Sequence, residues 1–223
     1  MSLPSNPQRP RIYLRRRFLP GLGRSQEIAA SNCEAGTRSE TNRVARGERS
    51  AGIALAGSVV VALSAHVALP LSFTPVPMTL QPLAVLILGL LLAPELAAAT
   101  LALYLGEGAL GLPVFAPGLP ATSGLAHLLG PTGGYLMAYP AAAVLASWLY
   151  RRTGRGFGSG LLSAGAALAL VFTCGAAWLA VGTHGSIQTA LAQAVLPFLP
   201  GAGLNVAAAA AVARGFDRLR RAR

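Results

Sequence analysis

Charge is distributed along this chain so that two long stretches carry almost none. All 18 basic residues are arginines, and they fall into three clusters, in residues 1–50, 151–155 and 214–223. Between these clusters, residues 51–150 and 156–213 contain only two charged groups, Glu95 and Glu107. About 20 consecutive apolar residues are enough to cross the hydrocarbon core of a bilayer. The pattern therefore predicts an all-α integral membrane protein whose apolar helices end in arginine clusters.

Composition excludes several other classes of protein. Only 11% of the residues are charged, against about 25% in an average soluble domain. The net charge of +11 could suggest a nucleic-acid partner. Nucleic-acid binders, however, mix arginine with aromatic and polar readers in one folded domain, whereas here the arginines lie at the ends of apolar segments. The chain also has no lysine, which excludes a P-loop and a lysine Schiff base.

No catalytic or metal-binding pattern is found in the sequence. The three histidines, His66, His127 and His184, are far apart and lack the spacing of zinc ligands. The strand–turn–helix motif of serine hydrolases and the glycine-rich dinucleotide motif are both missing. We therefore expect no metal, no cofactor and no enzymatic activity.

The apolar runs predict six transmembrane helices after an N-terminal extension. Residues 1–50 are predicted to be a disordered, arginine-rich extension, with an over-extended translation start as the alternative. Residues 51–223 are predicted to form the membrane domain. The expected spans are residues 51–71, 78–93, 96–112, 131–150, 157–181, and a last span that begins near Pro200 and ends in the basic tail.

The arginine clusters also predict the orientation of the spans. With six spans, all three clusters lie on one side of the membrane, whereas five or seven spans would place them on both sides. Positively charged segments remain in the cytoplasm. Both termini are therefore expected to be cytoplasmic, in the cytoplasmic membrane, and the Pro/Gly-rich connections to lie mainly on the outer side.

Several polar residues at the outer ends of the predicted spans are candidates for a binding site. Gly133, with Gly134 beside it, permits close approach of backbone, and the helix that follows Pro200 turns its positive end outward, where it could hold a carboxylate. Apolar walls with a few fixed polar groups are typical of small-molecule sites. For Gln81 and Tyr135, ligand contact and structural hydrogen bonding are equally open. The uncharged polar candidates are Thr79, Gln81, Tyr135 and Asn205.

Two other features have both a structural and a functional interpretation. Ala54, Ser58 and Ala62 repeat every four residues and so share one helix face. Such a face lets another helix approach closely, either inside this protein or in a partner membrane subunit. Glu107 is an acidic residue at membrane depth, which is a functional candidate by default unless it serves only as a local hydrogen-bond acceptor.

Four Pro/Gly-rich motifs stand in a specific order along the chain. They are Pro75-Val76-Pro77-Met78-Thr79-Leu80-Gln81, Gly111-Leu112-Pro113-Val114-Phe115, Leu129-Gly130-Pro131-Thr132-Gly133-Gly134-Tyr135 and Leu196-Pro197-Phe198-Leu199-Pro200-Gly201. With these motifs the chain resembles the BioY family, the biotin-specific substrate-binding component of energy-coupling factor (ECF) transporters. The resemblance covers the chain from about Ser50 to the C-terminus, and the first 50 residues have no counterpart.

The resemblance implies a six-helix membrane protein that captures biotin from outside. It also implies a transmembrane scaffold subunit and two ATPase subunits as partners, with the small-residue face of the first span as the docking face. Phe115, Gly201 and Ala202 then join the candidate substrate-binding residues. Where the family usually has Asp-x-x-Lys in the last span, this chain has Ala202 and Asn205.

Two other functions remain open from the sequence. One is uptake of another small vitamin-like anion, and the other is a membrane scaffold or assembly protein that binds no ligand. Competition by biotin analogues distinguishes the first alternative from biotin uptake, and labelled-biotin uptake distinguishes the second.

Overall fold

The computed structural model of the protein describes residues 47–69, 76–117, 124–183 and 195–222. The predicted N-terminal extension, apart from its last four residues, and the predicted turn around His184 lie outside these ranges. Internal contacts divide the chain into two units, Met1–Gly47 and Glu48–Arg223. The description below concerns the second unit.

The described residues are mostly helical, with one very small sheet. Strands β1 and β2 pair antiparallel, with Ala68 opposite Thr79 and Leu69 opposite Met78; this pairing was not predicted. The last helix follows a single 3₁₀ turn at Leu196–Phe198. In chain order the elements are α1 Gly47–His66, β1 Ala68–Leu69, β2 Met78–Thr79, α2 Gln81–Leu91, α3 Pro94–Ala109, α4 Leu125–Leu128, α5 Gly133–Arg152, α6 Phe157–Thr183 and α7 Leu199–Arg221.

Three of the described helices are long and apolar enough to cross a membrane: Gly47–His66, Phe157–Gly182 and Leu196–Arg221. The first begins four residues earlier than the predicted span of residues 51–71. It also ends five residues earlier, shortly before strand β1 begins at Ala68. Helix α2 is apolar but has only 11 residues. The hairpin formed by β1 and β2 replaces the start of the span predicted for residues 78–93. The coarse prediction of a helical membrane protein is confirmed.

Proline sets the start of three helices. It lies in the first two positions of α2, α3 and α7, as Pro82, Pro94 and Pro200. A helix leaves its first N–H groups without intrahelical partners, so the missing N–H of proline costs little there. The same residues that interrupt the apolar runs in the sequence therefore begin the next helix.

Small residues bring the helices of the core close together. Helix α5 packs against α2, α3 and α6, and α7 packs against α2 and α6. Ala143 and Ala146 on α5 are fully buried, and a Cβ on Gly89 of α2 would stand only 3.0–3.1 Å from them. Gly160 of α6 approaches Ala210 of α7 equally closely. Such contacts between small residues are the usual way to pack apolar helices in a membrane.

The small-residue face of α1 lies inside this chain. Ser58 is fully buried and Ala54 nearly so, and Ala62 packs against the core. Ser58 Oγ donates a hydrogen bond to Oε1 of Glu107 on α3, at 3.1 Å, so Glu107 also has a structural role. Of the two interpretations of this face, the burial favours internal packing over a docking surface. The exposed residues of α1 are instead large and apolar, among them Leu55, Val59 and Leu63.

A polar cluster joins the arginine-rich ends of α5 and α7. Tyr150 donates a hydrogen bond to Asp217 Oδ2 at 2.9 Å, and Asp217 forms an ion pair with Arg155 at 3.7 Å. Arg155 itself has a positive φ of 51° in the turn between α5 and α6. The cluster explains why one acidic residue stands in the otherwise basic C-terminal tail.

Candidate ligand-binding cavity

A cavity of about 280 Å³ lies where α2, α5 and α7 begin, with the hairpin on one side and α6 on another. Its wall is mostly apolar, and none of the described residues that line it is charged. The lining residues are Val67, Leu69, Val76, Pro77, Met78, Thr79, Leu80, Gln81, Pro82, Ala116, His127, Thr132, Tyr135, Leu136, Tyr139, Leu168, Val171, Phe172, Phe198, Gly201, Ala202, Leu204 and Asn205.

The structure brings most of the predicted site residues together at this cavity. Gln81, Tyr135 and Asn205 come from three different helices, and all three line it. Thr79 of the hairpin and Gly201 and Ala202 of α7 line it too. Six of the eight predicted substrate-binding residues therefore share one recess.

Phe115 and Gly133 lie behind the wall rather than on it. The Phe115 ring stacks on His127, with centroids 4.8 Å apart, and meets Tyr104 edge-on at 5.5 Å. A Cβ on Gly133 would overlap the carbonyl oxygen of Leu128. Phe115 thus supports a lining residue from behind, and Gly133 allows the chain before α5 to fold tightly against it.

Two polar groups of the wall form a short hydrogen-bonded chain with a tyrosine behind it. Thr79 Oγ1 donates to Gln81 Oε1 at 3.3 Å, and Gln81 Nε2 donates to Tyr104 Oη at 2.6 Å. Tyr104 Oη in turn lies 3.1 Å from the carbonyl oxygen of Val114, to which it donates. The Gln81 side chain is only 4% exposed. Structural hydrogen bonding of Gln81, one of the two interpretations left open, is therefore present, and its place on the wall leaves ligand contact possible as well.

Another polar group of the wall was missed from the sequence. His127 of α4 is 5% exposed, and its Nε2 lies 3.5 Å from Thr132 Oγ1. The indole of Trp178 on α6 holds this segment by donating to the carbonyl oxygen of Gly130 at 2.9 Å. The spacing of the histidines tests His127 only as a metal ligand. The signal that could have found it is its position one turn before the Pro131-Thr132 motif.

Asn205 differs from Gln81 in having its polar group available. Its side chain is partly buried and makes no hydrogen bond to any residue within the described ranges. It stands one turn along α7 from Ala202, so both face the cavity. Asn205 can both donate and accept hydrogen bonds.

The rest of the wall suits an apolar ligand body. Phe172 of α6 and Phe198 of the 3₁₀ turn face each other with ring centroids 6.4 Å apart, and Met78 and Leu168 add flexible aliphatic surface. No group of three or more metal-ligating side chains is found among the described residues. An apolar enclosure with a few oriented polar groups is typical of a small-molecule site.

Comparison with known proteins agrees with the motifs noted in the sequence. The model of the BioY family matches residues 39–222. A probable biotin transporter BioY from Pyrococcus horikoshii is 38% identical over 149 residues, which are 66% of this chain and 84% of that protein. The biotin transporter BioY from Thermotoga maritima is 31% identical over 142 residues, 64% of this chain and 80% of that protein.

A solved structure has the same fold. It is the S-component for biotin from an ECF-type ABC transporter, and it superposes with a TM-score of 0.70 over 79% of this chain and 93% of its own, at 24% sequence identity. Because the family model covers most of the residues, including all four motifs, this chain belongs to the BioY family.

Proposed function

We propose that this protein captures biotin in the cavity and is the substrate-binding component of an ECF-type transporter. The observation that carries the proposal is the recess that joins Gln81, Tyr135 and Asn205 within a BioY-family chain. Relatives in that family are named biotin transporters. Capture and uptake, rather than a chemical conversion, is the function that such a recess supports.

The chemistry of biotin matches the wall of the cavity. Its thiophane ring and aliphatic chain suit the surface formed by Met78, Phe172 and Phe198. Its ureido group can exchange hydrogen bonds with Gln81 and Asn205.

The helix directions support an outward-facing cavity with both termini in the cytoplasm. The cavity lies at the N-terminal ends of α5 and α7, whereas Arg151, Arg152 and the C-terminal arginines lie at the other ends of these helices. Arginine-rich ends remain in the cytoplasm. We propose six spans in the cytoplasmic membrane.

Energy for uptake is proposed to come from other chains, a transmembrane scaffold subunit and two ATPase subunits. This chain contains no lysine and hence no P-loop. Because Ala54 and Ser58 are buried, contact with the scaffold through α1 would use its exposed apolar residues, such as Leu55, Val59 and Leu63.

Binding of biotin to the purified, detergent-solubilised protein tests the proposal. We expect saturable binding by calorimetry, and labelled-biotin uptake in cells that lack their own uptake system when this chain is expressed with ECF partners. Binding that other vitamin-like anions compete away more effectively than biotin would favour the first alternative. Absence of binding to any of them would favour a membrane scaffold.

Restoring the usual family residues in α7 should tighten binding. The double change Ala202→Asp with Asn205→Lys places opposite charges one turn apart, where they can interact. It also gives the ureido N–H groups a charged acceptor. Because hydrogen bonds to charged groups are stronger than neutral ones, we expect about a tenfold lower Kd, or about 1.4 kcal/mol.

Calorimetry on the single and double variants measures this effect. Ala202→Asp alone should gain less, because its buried carboxylate would have no charged partner. Unchanged or weaker biotin binding by the folded double variant would contradict the placement of these two positions at the ligand.

A further inference from the structure

A buried tyrosine behind the cavity determines which way the Gln81 amide faces. Tyr104, on α3, is fully buried and is not one of the lining residues. Its Oη lies 3.1 Å from the carbonyl oxygen of Val114 and 2.6 Å from Nε2 of Gln81. A carbonyl oxygen can only accept a hydrogen bond, so the single proton of the Tyr104 hydroxyl is donated to Val114. The hydroxyl must then accept from Gln81, and only the NH₂ group of the amide can donate to it.

The hydrogen bond at the oxygen end of the Gln81 amide agrees with this orientation of the side chain. Gln81 Oε1 lies 3.3 Å from Thr79 Oγ1 and accepts its hydrogen bond. Thr79 lines the cavity, whereas Tyr104 does not. The amide nitrogen is therefore turned to the back of the wall and the oxygen toward the cavity side. An amide oxygen has two lone pairs, and Thr79 occupies only one of them.

We propose that Tyr104 is a positioning residue, which holds Gln81 as a hydrogen-bond acceptor toward the ligand. The cavity then selects a ligand that carries an N–H donor at this point. The inference rests on the proposed function, in which the donor is a ureido N–H of biotin. Tyr104 acts through Gln81 and does not touch the ligand.

Selectivity follows because the amide is held at both ends. A ligand that presents an acceptor to Gln81 Oε1 leaves two buried acceptors facing each other, and a buried polar group without its partner is costly. The amide could rotate to avoid this only by breaking its bond to Tyr104. Sites built to hydrogen-bond one group of a substrate reject analogues that lack it far better than apolar pockets do.

The first experiment uses cyclic carbamate analogues of biotin, in which an oxygen replaces one ureido N–H without adding bulk. We expect the wild-type protein to prefer biotin over one of the two regioisomers by about 100-fold. In Tyr104→Phe the amide can rotate and present its NH₂ group to that analogue, so the preference should fall about tenfold. Affinity for biotin itself should fall less than the preference does.

The second experiment needs no ligand. With ¹⁵N-labelled glutamine, hydrogen exchange of the Gln81 side-chain amide can be followed by NMR in the detergent-solubilised protein. We expect exchange at least tenfold slower than in an exposed glutamine, and about tenfold faster in Tyr104→Phe than in the wild-type protein. The Gln81 resonance is assigned by its loss in Gln81→Leu.

Tyr150→Phe is the matched control. Tyr150 is also buried, and its hydroxyl donates a hydrogen bond to Asp217 Oδ2 at 2.9 Å and lies 3.3 Å from a second acceptor, the carbonyl oxygen of Arg155, but it is not a lining residue of the cavity. We expect this variant to change neither the ligand preference nor the exchange of Gln81.

The outcomes separate this inference from the proposed function. A preference that stays within twofold of wild type in Tyr104→Phe, or one that Tyr150→Phe changes equally, would overturn the positioning role. If Tyr104→Phe does not fold, the wild-type measurements decide: equal affinity for biotin and both carbamates, or rapid exchange of Gln81, would overturn it. Failure of the wild-type protein to bind biotin would overturn the proposed function, while the exchange experiment would still decide the orientation of the amide.

Discussion

Replacing Ala202 with phenylalanine should abolish biotin binding while the protein remains folded. Ala202 lines the cavity from the first turn of α7, next to Gly201 and one turn before Asn205. The recess has a volume of only about 280 Å³, and an aromatic ring at this position would occupy the space proposed for the ligand. We expect the Kd for biotin to rise at least about 100-fold, or about 2.8 kcal/mol, as measured by calorimetry on the purified protein.

The matched control is Ala211→Phe, on the same helix. Ala211 is exposed, so the same ring there faces outward and not into the cavity. We expect Ala211→Phe to bind biotin as the wild type does and both variants to elute as folded protein. Binding by Ala202→Phe within threefold of wild type would show that biotin does not occupy this recess.

Replacing Gly134 with alanine should strongly destabilise the fold. A Cβ on Gly134 of α5 would overlap the Cβ of Trp178 and stand 2.7 Å from the carbonyl oxygen of Cys174, both on α6. Neither is the far end of a flexible side chain, so the two helices must move apart. We expect a loss of about 3 kcal/mol, the upper part of the usual range for overpacking, or a fall in Tm of about 6–12 °C for a chain of this length. Thermal unfolding in detergent measures it.

Gly165→Ala is the matched control for Gly134→Ala: the chemical change is the same, but it should not lower the Tm. Gly165 lies on α6, and a Cβ there would meet no atom within 4 Å. Alanine in the interior of a helix is more favourable than glycine by about 0.5–1 kcal/mol, so we expect an unchanged or slightly higher Tm. Equal effects at the two positions would show that α5 and α6 do not make the close contact described here.

Much of the candidate site could be predicted because its residues lie next to helix breaks. Thr79 and Gln81 flank the start of α2, and Gly201 follows the proline that begins α7. Polar groups beside breaks in apolar segments have few places to lie other than a cavity or the protein interior. The family resemblance added two candidate substrate-binding residues: Ala202 lines the cavity, whereas Phe115 supports His127 from behind.

The roles that could not be predicted depend on partners distant in the chain. Tyr104 meets Gln81 across 23 positions, and Ser58 meets Glu107 across 49. A repeat of small residues in α1 predicts that some helix packs there, and it cannot distinguish α3 of the same chain from a partner subunit. The hairpin was missed for a different reason: two residues in each strand are too few to produce an alternating pattern.

The sequence by itself determined that this chain is a helical membrane protein, because apolar length and the positions of charge constrain which segments can leave water. Its four motifs carried the resemblance to the BioY family. The sequence also determined where the helices are interrupted, since proline has no N–H group to continue them. Only the tertiary structure decided which side chains meet: that Gln81, Tyr135 and Asn205 share one cavity, that the small face of α1 is internal, and that Tyr104 orients Gln81. The physical reason is that such contacts arise from the packing of helices against one another, which residue order along the chain does not specify.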